Sequence, residues 1–325
     1  MMRAALVGCG LMGRKRAFAH RDCRVVICAD LIADRAQALA GALPEAEATT
    51  DWRAAVARPD VDLVIVSTIP AALAEVASLA IEAGKHVLVE KPAARNVAEI
   101  DSLAGKAREK GVRVKVGFNH RYHPAILKAR QVVDSGLLGP LLFVRGRYGH
   151  GGRPGYEREW RARPEASGGG ELIDQGTHLI DLARYFLGDF SDVSGTVATL
   201  FWDMPVEDNA FLCLRTPRGQ VAWLQAGWTE WKNLFSWEIF GRGGKLQVDG
   251  LGGSYGPERL TLYKMRPEMG PPESTVWEFP PPDTSFGLEF EDFRRAIEED
   301  REPSGNLEDA RAALAIAARL YEAGR

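Results

Sequence analysis

At 325 residues and a formal net charge of −3, the chain is long enough for two domains and has no excess of positive charge for a nucleic acid or an anionic membrane. Its four cysteines show no CxxC spacing, which speaks against zinc ligands or a disulfide framework and for reduced core thiols. No apolar run approaches the ~20 residues that a membrane helix needs, and the amino terminus runs straight into a strand pattern without the regions of a signal peptide, so a cytoplasmic protein is expected.

Residues 3–7 form a short β-type run, followed at once by Gly8-Cys9-Gly10-Leu11-Met12-Gly13 and a helical pattern through Arg14, Phe18 and Ala19. This is GxGxxG in its required context, strand before and helix after. Gly8 permits the tight turn, Gly10 lets the backbone approach a pyrophosphate, and Gly13 lets the helix pack closely on the strand. Leu11 and Met12 lie in the same turn, where the helix amino terminus stabilises an anion. A second strand over 24–29 ends at Asp30, close to where an acidic ribose ligand is expected. Its carboxylate would accept from a ribose 2′-hydroxyl and repel a 2′-phosphate, which favours NAD. Arg35 lies near enough in sequence to leave NADP open, and a cap for the helix beginning near Ala33 is the structural alternative.

The alternation continues with helices over 33–42 and 52–57, a strand over 62–67, a helix over 71–83 and a strand over 87–89. Asn96 can cap a helix to about Lys110 that Gly111 ends, and 112–116 is another strand. Strands separated by helices of this length predict right-handed βαβ units and a doubly wound parallel sheet. Ligands of such sheets sit beyond the carboxyl ends of strands. Thr68-Ile69-Pro70, Glu90-Lys91-Pro92 and Asn119 fall at such tips, where a nicotinamide would lie. Lys91 is a candidate for chemistry, with a solvated lysine before a proline turn as the plainer reading.

From about His120 the texture changes. A helix is predicted over 122–135 and a strand over 141–148, then a Gly-rich loop runs from Gly149 to Arg161. It carries Arg153, Tyr156, Trp160 and Arg161, and either closes over a ligand or is a surface excursion. Gly168-Gly169-Gly170 opens an amphipathic helix predicted over 171–187, with Asp174, His178 and Asp181 on one face. Such groups are buried and paired or exposed at a site; two carboxylates and a histidine could also ligate a metal, although none is expected. Strands follow over 193–200, 210–214, 221–228, 234–240, 245–248 and 260–263, then helices over 286–298 and 306–323. The prolines at 271–272 and 280–282 read as a surface connection. Trp223, Trp228, Trp231 and Phe235 are numerous for a sheet covered on one side, which suggests an open face that packs on another subunit.

Three motifs in order, the GxGxxG turn, Glu90-Lys91-Pro92 and Gly168-Gly169-Gly170-x3-Asp174-x3-His178-x2-Asp181, resemble those of the Gfo/Idh/MocA family of glucose–fructose oxidoreductase and inositol dehydrogenase relatives. Gly117-Phe118-Asn119-His120-Arg121-Tyr122 also looks like the family's segment there. The resemblance covers essentially the whole chain. It implies a Rossmann domain over 1–120, then an α+β domain over 121–325 built on a large, open, mainly antiparallel sheet. It further implies a homodimer or homotetramer joined through that sheet, and NAD(P)-linked hydride transfer at a hydroxyl or keto carbon of a sugar, sugar derivative or cyclitol. Lys91 matches the family's catalytic lysine, Asp174 and His178 its acidic and histidine partners, and Trp160-Arg161 its pair near cofactor and substrate. The Lys91–Pro92 peptide is often cis in relatives. Thr68-Ile69-Pro70 departs from the usual Thr-Pro, and Leu73 stands where a histidine is common. Arg153, Tyr156 and Arg161 would read a phosphate or nucleotide on the sugar. Two other functions stay open: a glycoside hydrolase that recycles its bound NAD, and a non-catalytic NAD-binding scaffold.

Overall fold

The computed structural model describes residues 1–19 and 22–323. The chain divides into two compact units, Met1–Phe118 with Phe286–Leu314, and Asn119–Ser285 with Ala315 onward.

In the first unit strands and helices alternate through β1 (Met2–Val7), α1 (Leu11–Phe18), β2 (Cys23–Ala29), α2 (Ala33–Ala40) and β3 (Glu47–Thr49). The pattern runs on through α3 (Trp52–Ala57), β4 (Leu63–Val66), α4 (Pro70–Glu82), β5 (His86–Val89), α5 (Val97–Lys110) and β6 (Val114–Val116). Among the described residues the strands form a six-stranded sheet in the order β3-β2-β1-β4-β5-β6, with every pair parallel. A parallel sheet is buried on both faces, which is why β4 reads Leu-Val-Ile-Val with no polar alternation. As expected, the Asn96 side chain caps α5 by accepting from Glu99 N, and Gly111 ends it at φ 66°. Phe290 and Phe293, from the segment that returns at 286–314, pack into the core with Leu6, Leu39, Leu63 and Ile65. Burying each such ring contributes roughly 1.5–3 kcal/mol.

The second unit begins with α6 (Pro124–Asp134), β7 (Leu141–Gly149), the short α7 (Pro164–Ser167) and α8 (Thr177–Leu187). Next come β8 (Asp192–Ala198), β9 (Asn209–Arg215), β10 (Val221–Gly227), β11 (Leu234–Gly241), β12 (Gly244–Asp249), β13 (Glu258–Lys264) and β14 (Glu273–Phe279). The helices α9 (Ser285–Glu298) and α10 (Leu307–Ala323) close the chain. Among the described residues the sheet has eight strands in the order β14-β13-β12-β11-β7-β10-β9-β8. Only β7 and β10 pair in parallel; the other neighbours are antiparallel.

The two faces of this sheet differ. Val144, Gly146 and Tyr148 of β7 are buried while Phe143, Arg145 and Arg147 are exposed, and α8 and α6 pack on the sheet. Gly146 makes room for the buried Trp237, since a Cβ there would lie 2.6 Å from the indole. On the other face Phe143 stacks on Phe240 at 4.1 Å, Glu238 pairs with Arg145 and Lys245, and Trp223, Phe211 and Val276 are exposed. Trp228 and Phe235 do not share this face: both are buried. Trp231 is exposed, but it lies on the loop between β10 and β11. The prolines at 271–272 and 280–282 do not mark a bare connection either. They bracket β14, an edge strand, which is where flanking prolines cost no ladder hydrogen bond.

Candidate active site

The turn between β1 and α1 is built by glycines with separate tasks. Gly8 takes φ +95°, and a Cβ there would lie 2.5 Å from Ser67 O. At Gly13 a Cβ would fall 1.9 Å from Gly8 O, so α1 can start this close to β1 only with glycine. Around a Cβ built on Gly10, by contrast, nothing lies within 4 Å. The turn is thus a backbone cradle open to an incoming group, at the amino terminus of α1, where the first N–H groups lack intrahelical partners. A pyrophosphate fits that cradle. Asp30 Oδ2 accepts from Cys9 N at 2.8 Å and Oδ1 from Ile32 N at 2.9 Å. Asp30 therefore ties the turn to the end of β2 and is not the cap of α2, whose cap position is Ile32.

Beyond β5, Glu90 accepts from Arg16 Nε at 2.7 Å, and Arg16 also pairs with Glu289. All three side chains are buried. A Cβ on Gly117 would come 2.6 Å from Arg16 Nη2, so the exit of β6 must be bare. Glu90 is thus anchored from within its own unit. Lys91 follows it half-buried, and the Lys91–Pro92 peptide is cis, as the resemblance implies. Thr68 and the exposed Ile69 precede Pro70, the first residue of α4, and Leu73 is fully buried.

In the second unit the three consecutive glycines lead into a π-helical turn, Leu172–Gly176, before α8 begins. The helix expected over 171–187 is present and ends at Gly188, with its first turn π-helical rather than α-helical. A distant carboxylate takes up the amides at the entrance: Glu207 Oε1 accepts from Gly170 N and Leu172 N, each at 3.1 Å, and from Tyr321 Oη at 2.7 Å. The Glu207 carbonyl accepts from Glu171 N at 3.0 Å. A Cβ on Gly170 would lie 2.0 Å from Glu207 O, and one on Gly169 would lie 2.3 Å from Tyr321 Oη. Burial pushes the Glu207 carboxyl up from the usual range, although its hydrogen bonds oppose this.

Asp174 lies in that turn, and its Oδ2 accepts from Arg161 Nε at 3.1 Å. The Arg161 guanidinium sits over the Trp160 ring at 4.4 Å and lies 3.6 Å from Glu159. Burial alone would lower the Arg161 pKa, but Asp174, Tyr156 and Glu159 together outweigh it and the guanidinium stays charged. One turn on, the buried His178 ring stacks on His120 with centroids 3.8 Å apart. Tyr148 meets both rings edge-on, at 4.9 Å from His120 and 6.2 Å from His178. Burial holds its phenol well above the usual value, so it remains a neutral donor. Asp181 is fully buried and accepts from Arg121 Nε at 2.8 Å and Nη2 at 2.6 Å. The three polar residues of this stretch therefore have different partners. Among the described residues no group of three or more His, Cys, Asp or Glu is arranged to hold a metal ion.

The preceding loop brings Arg153 and Arg161 to the same carboxylate, Glu159, at 2.5 Å and 3.6 Å. Tyr156 is buried against Trp202 and Trp228 and packs the loop. The Arg153–Tyr156–Arg161 set thus carries paired guanidinium groups and an inward-packed phenol. The Asn119 amide donates to Ser285 Oγ at 3.1 Å, and its oxygen faces His120 Nδ1 at 3.3 Å. Glu207, Tyr321, Arg121 and His120 were not singled out from the sequence. Arg121 and His120 stand in the quoted 117–122 segment, which was a usable signal; Glu207 and Tyr321 carry none nearby.

The family profile described as "Oxidoreductase family, NAD-binding Rossmann fold" matches residues 2–118, and the one described as "GFO/IDH/MocA C-terminal domain" matches residues 126–247. The chain belongs to the Gfo/Idh/MocA family. Its first unit is accordingly an NAD-binding Rossmann fold. Levoglucosan dehydrogenase of Pseudarthrobacter phenanthrenivorans is 32% identical over 231 residues, 67% of this chain and 59% of that protein. The scyllo-inositol 2-dehydrogenase (NAD(+)) of Bacillus subtilis is 30% identical over 202 residues, 60% of this chain and 56% of that protein. The chain thus spans under two thirds of the length of either relative. A solved levoglucosan dehydrogenase, in complex with NADH and levoglucosan, superposes with a TM-score of 0.88 at 24% identity. That match covers 99% of this chain and 97% of the other, and it shows a common fold. No helix among the described residues is long and apolar enough to cross a membrane.

Proposed function

We propose that the chain is an NAD-dependent oxidoreductase that moves hydride between the cofactor and a hydroxyl or keto carbon of a sugar, sugar derivative or cyclitol. The observation that carries this is the buried His178 with Asp174 one turn before it, in a chain whose other unit is an NAD-binding fold. The names of the two relatives, a dehydrogenase of levoglucosan and one of scyllo-inositol, support the substrate class. Bound NAD would accept or supply the hydride.

The open cradle at Gly10, with Gly8, Leu11, Met12 and Gly13, would hold the pyrophosphate, and Asp30 the adenosine ribose. Thr68, Ile69, Glu90, Lys91, Asn119, Trp160 and Arg161 would serve the nicotinamide side. Oxidising an alcohol requires a base for the hydroxyl proton, and His178 would be that base, since an unperturbed imidazole has its pKa near working pH. The Lys91 ammonium would donate to the same oxygen and stabilise developing negative charge. Asp174, braced by Arg161, would orient the substrate and tune His178.

The test is NADH formation with purified protein, NAD and a panel of free sugars, anhydrosugars, cyclitols and sugar phosphates. A hit among free sugars, anhydrosugars or cyclitols is expected; silence across the panel in both directions, with NAD still bound, would overturn the reading. His178→Asn and Lys91→Ala should each lower kcat at least about 100-fold while NAD affinity changes little. Undiminished turnover in either variant removes that residue's role.

We also infer a homo-oligomer joined through the open sheet face. Support comes from the Phe143–Phe240 stack and the exposed Trp223, Phe211 and Val276, apolar side chains spread over that face as in surfaces that make protein contacts. Trp223→Glu should shift the sedimenting species toward monomer; a monomeric wild type would refute the idea.

A further inference from the structure

His178 is one half of a pair. Its ring and that of His120 stack with centroids 3.8 Å apart and planes 25° from parallel, and both side chains are buried. His120 is itself closely held. Its Nδ1 lies 3.3 Å from Asn119 Oδ1, and Tyr148, His123 and Phe235 meet it edge-on at 4.9, 5.7 and 5.8 Å.

Two imidazoles stacked in this way cannot titrate independently. A proton on either ring sets a full charge against the face of the other, where burial limits screening by water. The groups around the pair sharpen this. Asp174, on the turn before α8, is paired with the Arg161 guanidinium, and the buried Glu171 precedes that turn. Tyr148 and Tyr255 have phenols raised by burial and stay neutral. Arg121 is paired with Asp181, and His123 with Glu258 at 2.9 Å. These neighbouring charges are thus met by partners of their own or held neutral, and the stack resists a second positive charge.

We propose that His120 is a positioning residue for His178, the two rings acting as a single one-proton unit in which His120 fixes the plane of the His178 imidazole and competes with it for the proton. This rests on the reading of His178 as general acid/base. In that role His178 takes a hydroxyl proton only while His120 is neutral, so the pair defines the charge state from which the reaction starts.

The chain has six histidines, few enough for selective carbon-13 labelling at Cε1 and assignment by single substitutions. On the full chain with saturating NAD, the His178 resonance should titrate in two coupled steps separated by more than about one pH unit. In His120→Phe, which keeps an aromatic ring against His178, it should titrate in one. If that variant does not fold, His120→Gln removes the competing site and should give the same single step. A wild-type His178 that titrates in one step, or that fails to titrate before acid unfolding, overturns the proposal. A merely structural His120 would leave the wild-type curve uncoupled. The titration needs no substrate: coupled rings together with undiminished turnover in His178→Asn would fault the functional reading and not the coupling.

Discussion

The two glycine clusters, Gly8 to Gly13 and Gly168 to Gly170, look alike as sequence but clear space for different occupants. A Cβ on Gly10 would meet nothing within 4 Å, whereas on Gly170 it would lie 2.0 Å from Glu207 O and on Gly169 2.3 Å from Tyr321 Oη. The first cluster keeps a helix amino terminus open to a ligand. The second admits the protein's own carboxylate, which takes up two amides at the entrance to the Asp174 turn, and the phenol that donates to it. Glycine richness before a helix is therefore not by itself a sign of a phosphate cradle; what fills the vacated volume decides.

That contrast can be broken by substitution. Gly170→Ala should have the largest effect on stability, roughly 3 kcal/mol or more, because backbone must move to relieve the clash. Gly10→Ala, at φ −72° and facing open space, should leave stability within about 0.5 kcal/mol yet weaken NAD at least about tenfold. Denaturant titration and NAD binding on the same two variants read both numbers, and a reversed ranking would refute the distinction.

Glu207→Ala should cost about 2–4 kcal/mol by stranding two amides and the Tyr321 hydroxyl. Glu207→Gln keeps an oxygen acceptor and isolates the charge. Because burial raises the Glu207 pKa in the folded state, its contribution is most favourable below the ordinary value of about 4.3 and is lost as pH rises through the folded value. The Glu207→Gln variant should thus gain on wild type in Tm as pH climbs from about 4 toward neutrality. A flat difference would mean that the carboxyl ionises as it does in the unfolded chain.

The Rossmann unit was readable because its signals are local: apolar runs of four to six residues, a cap at Asn96, a stop at Gly111 and a glycine turn in register with β1. Its short edge strand β3 has only three residues, partly to fully exposed, and no apolar pattern announces it. In the second unit β14 was hidden between proline clusters, and the alternation that predicts a half-buried strand did not reveal which tryptophans turn inward. Asp174 and His178 were readable from motif spacing. Their supports were not, since Glu207 lies 37 residues from Gly170 and Tyr321 lies 114 from Glu207. Contacts of that range leave no periodic trace, and a buried glutamate looks in sequence like any surface glutamate.

The return of residues 286–314 to the first unit bears on how the molecule is made. A ribosome releases the six parallel strands early, yet the core they enclose still lacks Phe290 and Phe293, and Arg16 still lacks Glu289. The half synthesised first is therefore completed only after most of the second has been made, and every nascent chain passes through a period with its nucleotide-binding sheet unsealed. Chains stalled before residue 286 should be cut by protease within that sheet, and chains carried past residue 314 should resist.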